Sequence, residues 1–587
     1  MDNTRIGQII QETGRLLELR DGPTGDSGAY NRGGSEVSRL PQQLAWSPPE
    51  SWPDTIQQLA EPIRQGIGTI LRTGSLPLYE ELCSALPPGV NEMLALPDFS
   101  AARVRLLRNK LNIESVEDLE TACHVGTVAS LIEFDEDSQS RMLDAITFWR
   151  SNKDQHLLHT AWVIANPMLE RFRRLPFVIR SSVTGRLRRW TETVPGISLL
   201  VSTASHDTGQ ALDFFTSQPD VIEVTARDEA TASVILKGGL RATLRVVTDH
   251  IFPFALIRHT GNSEHYDGLG ERARKRGFEL NDFGLYRKGG ESTQGGRRIV
   301  CNGEEDVYYA LGLDYIPAEL READGEFAAA EEHEIPQLLD WTTLRGSLHN
   351  HSDWSDGRQS LRDMASDAYD LGCSYWAVTD HSASNFVGKG LKEQKLIGQI
   401  NEIELINQLY QDSERPFRLL SGTEVDIKSR GHIDFANEIL AQLDVVVASI
   451  HQALAGSESE MTKRLIAAAE NRNVQIIGHL TGRLLLQREG YRVNQRAVID
   501  ACAATGTWIE LNASPWRLDM DWRLWRYAKE QGVKCVINTN SHRAEHGQYL
   551  RFGAHIARKG WLTRHDVVNT LPLKHLNNAL LEKRLRR

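Results

Sequence analysis

No stretch of this 587-residue chain approaches the roughly 18 unbroken apolar residues that a membrane-spanning helix needs. The opening MDNTRIGQIIQETGRLLELRDG is a short amphipathic segment, without the apolar core and small-residue cleavage site of a secretory signal. Cysteine is sparse: Cys83, Cys123, Cys301, Cys373, Cys502 and Cys535 stand apart, with no C-x-x-C pair. That argues against a disulfide framework or a cysteine-built zinc site, and it suits the reducing cytoplasm. An excess of positive charge is missing too. A net charge of −11 does not favour tight binding of nucleic acid by the chain as a whole. Finally, no Asp-x-Asp or Asp-x-Glu lies on a strand-like run between residues 156 and 250. Asp213 and Asp220 fall in ALDFFTSQPDV, helix and turn by pattern.

What is present is ordered in blocks. The length suggests about three or four domains. Residues 1–155 read as helices with short loops, broken by the Pro/Ser-rich LAWSPPESWPD. Residues 156–320 mix strand-like runs (GISLLVS, ASVILKGG, ATLRVV) with helices, and 321–340 form a Glu/Ala-rich linker, part helical. From residue 341 short apolar runs alternate with amphipathic segments, the pattern of βα units around a parallel sheet. The strand candidates are Trp341–His351, Tyr375–His381, Arg418–Asp426, Val445–His451, Val474–His479, Trp508–Asn512 and Lys534–His542. Nearly every one ends in polar groups, most often histidine. In a βα barrel the C-terminal strand ends form one rim, where chemistry is built.

The segment RGSLHNHSDWSDG places His349 and His351 two residues apart, so both face one side of an extended strand, with Asp356 close behind. Added to His381, Glu424, His451, His479 and His542 from other strand ends, these make eight candidate ligands, more than one tetrahedral ion can use. Two or three divalent ions fit better, and imidazole with carboxylate suits zinc, manganese or iron. Clustered ions acidify water and clamp phosphate oxygens. Any one of these histidines alone is more simply a satisfied core or rim residue; the shared rim is what argues for a metal site.

LHNHSDWSDG, WAVTDHS, SGTEVDI, ASIHQ, IIGHLTGRLL, EGY and INTNSH together resemble the polymerase-and-histidinol-phosphatase (PHP) domain that ends bacterial family X DNA polymerases. The likeness runs in order across nearly all of 340–587. It implies a distorted (β/α)7 barrel with up to three divalent ions, acting as a 3′–5′ exonuclease or DNA-end phosphoesterase in DNA repair. By this resemblance the eight residues above fall on the family's ligand positions. Arg483 would meet a substrate phosphate, its simpler alternative being a surface salt bridge. Asn540 stands where the family has an aspartate ligand, so one ion should bind more weakly. Ser347 replaces an acid.

Upstream, GRLRRWTETVPGISLLVSTA resembles the family's palm segment, and the resemblance extends through 260–322 to the thumb. The palm needs three carboxylates to hold two Mg²⁺. At those positions this chain has Gly196, Ser198 and Thr243, and its nucleotide-triphosphate motif reads Gly185-Arg186. The palm is therefore expected to be inactive. The N-terminal helices resemble the lyase and fingers region, but the helix-hairpin-helix loops (LAEPIRQGIG, LPDFSAARV, LIEFDEDSQ) have lost most phosphate-approaching glycines, and the third is acidic. Basic clusters at Arg171–Arg189 and Arg272–Arg276 read first as solvated faces.

The fold class expected is multidomain α+β and α/β: a helical N-terminal region, a nucleotidyltransferase-like palm and thumb, and a C-terminal PHP barrel. The function expected is a cytoplasmic, metal-dependent phosphoesterase acting on weakly gripped DNA 3′ ends. A small-molecule phosphatase of the histidinol-phosphatase kind and a non-catalytic scaffold are the alternatives.

Overall fold

The computed structural model describes residues 3–40, 44, 48–287 and 297–585, and these form two compact units, Met1–Asp154 and Gln155–Arg587. Among the described residues no helix is long and apolar enough to cross a membrane, and all six cysteines are free thiols.

The first unit is helical among its described residues, from Asn3–Asp21 to Glu136–Asn152. In Glu61–Thr73, Pro62 occupies the first turn, and Ile63, Ile67 and Ile70 recur at helical spacing to form a buried stripe. The acidic LIEFDEDSQ stretch has a local use: Asp135 caps Glu136–Asn152, accepting the Ser138 N–H at 2.7 Å.

The second unit begins with a five-stranded sheet in the order Val178–Val183, Ile197–Thr203, Arg241–Thr248, Thr231–Leu236, Val221–Arg227. The pair Ile197–Thr203 and Arg241–Thr248 is parallel and puts Ser198 beside Thr243; the other pairs are antiparallel. Asp213 lies in the helix Thr208–Thr216 and Asp220 in a turn.

Beyond residue 340 the chain forms a nearly closed barrel. Its strands are β1 (Gly346–Ser347), β2 (Tyr375–Val378), β3 (Arg418–Asp426), β4 (Val445–Ser449), β5 (Ile476–Ile477), β6 (Trp508–Asn512) and β7 (Cys535–Asn538). Each pairs in parallel with the next. Nearly all their residues are buried on both faces, as covered parallel sheets require. Several strands are shorter than the apolar runs suggest, because the ligand-bearing residues turn out of the ladder toward the barrel mouth. Between β1 and β7 the ladder thins to one bridge, Asn350 with Ser541. There Asn569 stands in for the missing backbone pairing. Its amide donates to the Gly346 and Ile537 carbonyls, both at 2.8 Å, and its oxygen accepts the Ile537 N–H at 2.7 Å.

Residues 321–340 pack rather than link. Arg321 is fully buried and bonds Glu304 at 2.7 Å, and Glu326 holds His265 at 2.7 Å. The arginines after Gly185 are not a solvated face either. Arg188 pairs with Glu304 at 2.5 Å and Arg189 with Glu322 at 3.0 Å. From the barrel, Lys559 is fully buried against Glu322 and the carbonyls of Arg189 and Glu319, while His555 stacks on Trp190 at 3.6 Å.

Candidate metal centre

All eight predicted ligands meet at the barrel mouth. His349 and His351 follow β1, His381 follows β2, Glu424 lies in β3, His451 follows β4, His479 follows β5 and His542 follows β7. Glu424 is the hub. Its carboxylate lies 2.9 Å from His381 and His479, 3.3 Å from His349 and His451, and 3.5 Å from His351. Asp356 makes a second focus, 3.4 Å from His542, 3.6 Å from His381 and 3.8 Å from His351. Ligands about 2.1 Å from one zinc at tetrahedral angles stand about 3.4 Å from each other, so these separations fit metal coordination.

Three overlapping groups can each hold an ion: His351, Asp356, His381 and His542; His349, His351 and Glu424; His381, Glu424 and His451. Hydrogen bonding agrees. Buried and without a hydrogen-bond partner are His349 Nε2, both ring nitrogens of His351, His479 Nδ1, one Glu424 oxygen and Asn540 Oδ1. Buried polar atoms are nearly always paired, so a cluster of unpaired ones around Glu424 and Asp356 is what a site for cations would leave. Asn540 holds a left-handed φ of 47°, and its carbonyl lies 3.0 Å from His542 Nδ1, leaving the amide oxygen spare as a neutral ligand.

Electrostatics favour positive charge here. Burial disfavours every ionised group, yet Glu510 and Glu424 outweigh it at His349, pushed up to about 10. Glu424 and Asp356 do the same at His381, also about 10. Against its burial, Glu424 is held well below the usual carboxylate range by His349, His451 and His381. Burial, then the Arg517 guanidinium, pushes His479 down to about 4. Burial, His542 and His381 push His351 well below the usual imidazole range, which favours the neutral ring with one nitrogen lone pair available.

The sequence missed the groups behind the ligands. Glu510, in β6, accepts from His349 Nδ1 at 2.7 Å and from the His479 backbone N–H at 2.6 Å. Asp426 bonds His451 Nδ1. Each fixes a ring so that Nε2 faces the centre. Asp380, beside His381, accepts the Ser352 N–H at 2.8 Å and anchors the loop after His351. Acids within IELN, EVDI and TDH were the available signal.

Arg483, expected at a substrate phosphate, is held by other groups. Its Nε donates to the Arg517 carbonyl at 2.8 Å, its other nitrogens reach the Leu518 carbonyl and Asp521, and Glu192 lies 3.6 Å away. It braces a loop and does not reach the centre. Arg517 is a basic group near His479. Among the described residues its guanidinium makes no hydrogen bond or ion pair, and its charge is felt at His479.

The upstream cleft contrasts with this mouth. Ser198 is exposed, and Thr243 bonds Ser233 at 2.9 Å. A Cβ on Gly196 would stand 2.6 Å from the Arg241 carbonyl, so the backbone approach leaves no room for a side chain. Arg186, in the triphosphate motif, is spent on Gln155, Thr191 and Thr193.

The chain matches the family model of the DNA polymerase beta thumb over residues 255–322 and that of the PHP domain over 347–514. It is 32% identical over 509 residues to a DNA polymerase/3′-5′ exonuclease PolX of Bacillus subtilis (strain 168), covering 86% of this chain and 87% of that one. A probable phosphatase of Thermoanaerobacter sp. (strain X514) is 26% identical over 205 residues, 33% of this chain and 77% of that one. One of Clostridium acetobutylicum is 30% identical over 133 residues, 21% and 52%. With nearly the full length of the Bacillus protein shared at this identity, the chain belongs to the PolX family of polymerase-related proteins that end in a PHP domain.

Proposed function

We propose that the chain is a metal-dependent phosphoesterase that trims DNA from 3′ ends, as in repair, and that it no longer polymerises. The observation that carries this is the convergence of five imidazoles on the Glu424 carboxylate, with Asp356 as a second focus. Two or three divalent ions, zinc, manganese or iron, would supply acidified water and charge neutralisation at a phosphoryl group. Glu424 would be shared between ions, the six histidines would ligate through neutral nitrogens, and Asn540 would add an uncharged oxygen. Glu510 and Asp426 hold their imidazoles in the ligating tautomer. Arg517, with its donors uncommitted, orients a phosphate oxygen.

The relative named as polymerase and 3′–5′ exonuclease supports DNA as substrate. Loss of polymerisation is supported by Gly196, Ser198 and Thr243 in the cleft, and by the space Gly196 lacks. A phosphomonoesterase of small substrates is the second reading, favoured by the relatives named as phosphatases.

The test is metal content of the purified protein, together with digestion of a 5′-labelled single strand with Mn²⁺ and extension of a gapped template with deoxynucleotides. Two to three ions, a ladder shortening from the 3′ end and no extension are expected. Absence of metal and of digestion would sink the nuclease reading; extension would sink the loss of polymerisation. Hydrolysis of p-nitrophenyl phosphate with DNA left intact would select the second reading.

A further inference from the structure

The loop after His381 carries two apolar side chains that nothing covers: Phe386 is 86% exposed and Val387 95%. Such a pair on a floppy surface loop would mean little. This loop is fastened at the metal centre. The Asn385 side chain reaches from His381 Nδ1 at 3.1 Å to the Gly388 N–H at 2.9 Å, and the Leu391 N–H donates to the His381 carbonyl at 2.7 Å. The Ser384 hydroxyl donates to Asp426, the same acid that orients His451. Gly388 lies so close to the His381 ring that a Cβ there would stand 2.4 Å from it. Two residues span at most about 7 Å, so Phe386 sits at the edge of the metal mouth.

A second loop is joined to the first. The Ser384 N–H donates to Asp434 at 2.7 Å, and Asp434 also pairs with Lys428. Across the two loops Lys389, Lys392 and Arg430 are exposed, and among the described residues none has an ion pair. An aromatic face held rigidly beside a hydrolytic centre and flanked by uncommitted cations is the composition of a single-strand binding groove.

We propose that Phe386, supported by Val387, is the platform on which a base of the substrate strand stacks, while Lys389, Lys392 and Arg430 hold that strand's phosphates. The proposal rests on the nuclease reading and adds that the substrate is recognised as an unpaired strand with a base at its end. Stacking is indifferent to which base it is, so trimming should be tolerant of sequence.

The test uses the full chain, Phe386→Ala and Phe386→Trp, with ten-residue deoxythymidine strands ending either in a base or in an abasic sugar. The wild-type protein should show a KM about tenfold lower for the base-bearing end. Phe386→Ala should erase that preference with kcat and metal content unchanged, and Phe386→Trp should restore it. If wild type digests the strands but Phe386→Ala keeps the preference, the platform is refuted and the nuclease reading stands. If the wild-type protein digests neither strand, both fall.

Discussion

The palm-side cleft and the barrel mouth offer a divalent cation opposite surroundings. At the mouth six histidines stand with Glu424 and Asp356, and acids behind two of the imidazoles keep them aimed. In the cleft Gly196, Ser198 and Thr243 are neutral, Gly196 lacks space for any side chain, and the neighbouring arginines are tied into ion pairs. A cation site thus needs more than its ligands. It needs room, a field that favours positive charge and neighbours that do not compete. The mouth has all three, and the cleft has lost each separately.

The contrast breaks most sharply at Glu424. Glu424→Gln keeps the shape but removes the shared charge, so metal content should fall and strand digestion should drop about a thousandfold or more. Digestion that survives would place the active centre elsewhere. On the cleft side, Glu304 lies between Arg188 and Arg321 and, despite burial, is held down to about 2. A depressed carboxylate stabilises the fold above its unfolded value and loses that contribution as pH falls. The window is therefore about pH 5 down to 2, with about 3 kcal/mol at stake. Urea unfolding across that range should show a slope that Glu304→Gln flattens; an unchanged slope would mean the cleft is not locked by this acid.

Smaller effects separate the groups around the mouth. Glu510→Gln should cost about 10- to 100-fold in metal affinity or activity, measured by metal titration, because His349 loses the acceptor that sets its ring. Arg517→Ala should lose a similar factor in kcat/KM with metal content intact, whereas Arg483→Ala should lower stability and leave the kcat/KM of folded protein unchanged. The reverse result would return Arg483 to the substrate. Smallest, Gly196→Asp should cost about 1–2 kcal/mol in urea denaturation and, even combined with Ser198→Asp and Thr243→Asp, should restore no primer extension.

Much of the mouth was legible in the sequence because the period of a strand and the position of its last residues decide where a side chain points. His349 and His351 announce themselves by spacing, and the other ligands by closing apolar runs. What could not be read depends on contacts between distant parts of the chain. Arg483 and Arg517 look alike in sequence; only the fold shows that one is used up on nearby carbonyls. Glu510 reads as one more strand-end acid until His349 is placed beside it. The 321–340 stretch has a linker's composition, but Arg321 and Glu326 find buried partners far away. Asn569 carries no local hint that it completes the ladder between β1 and β7.

Lys559 ties the barrel to the segment that precedes it. Its ammonium is buried, and its acceptors are Glu322 and the carbonyls of Arg189 and Glu319, all outside the barrel. A barrel cut free before residue 340 would lose all three of those acceptors and bare the surface they cover. The barrel and the sheet before it therefore share a buried ion pair, and a change on either face must leave that ammonium an acceptor.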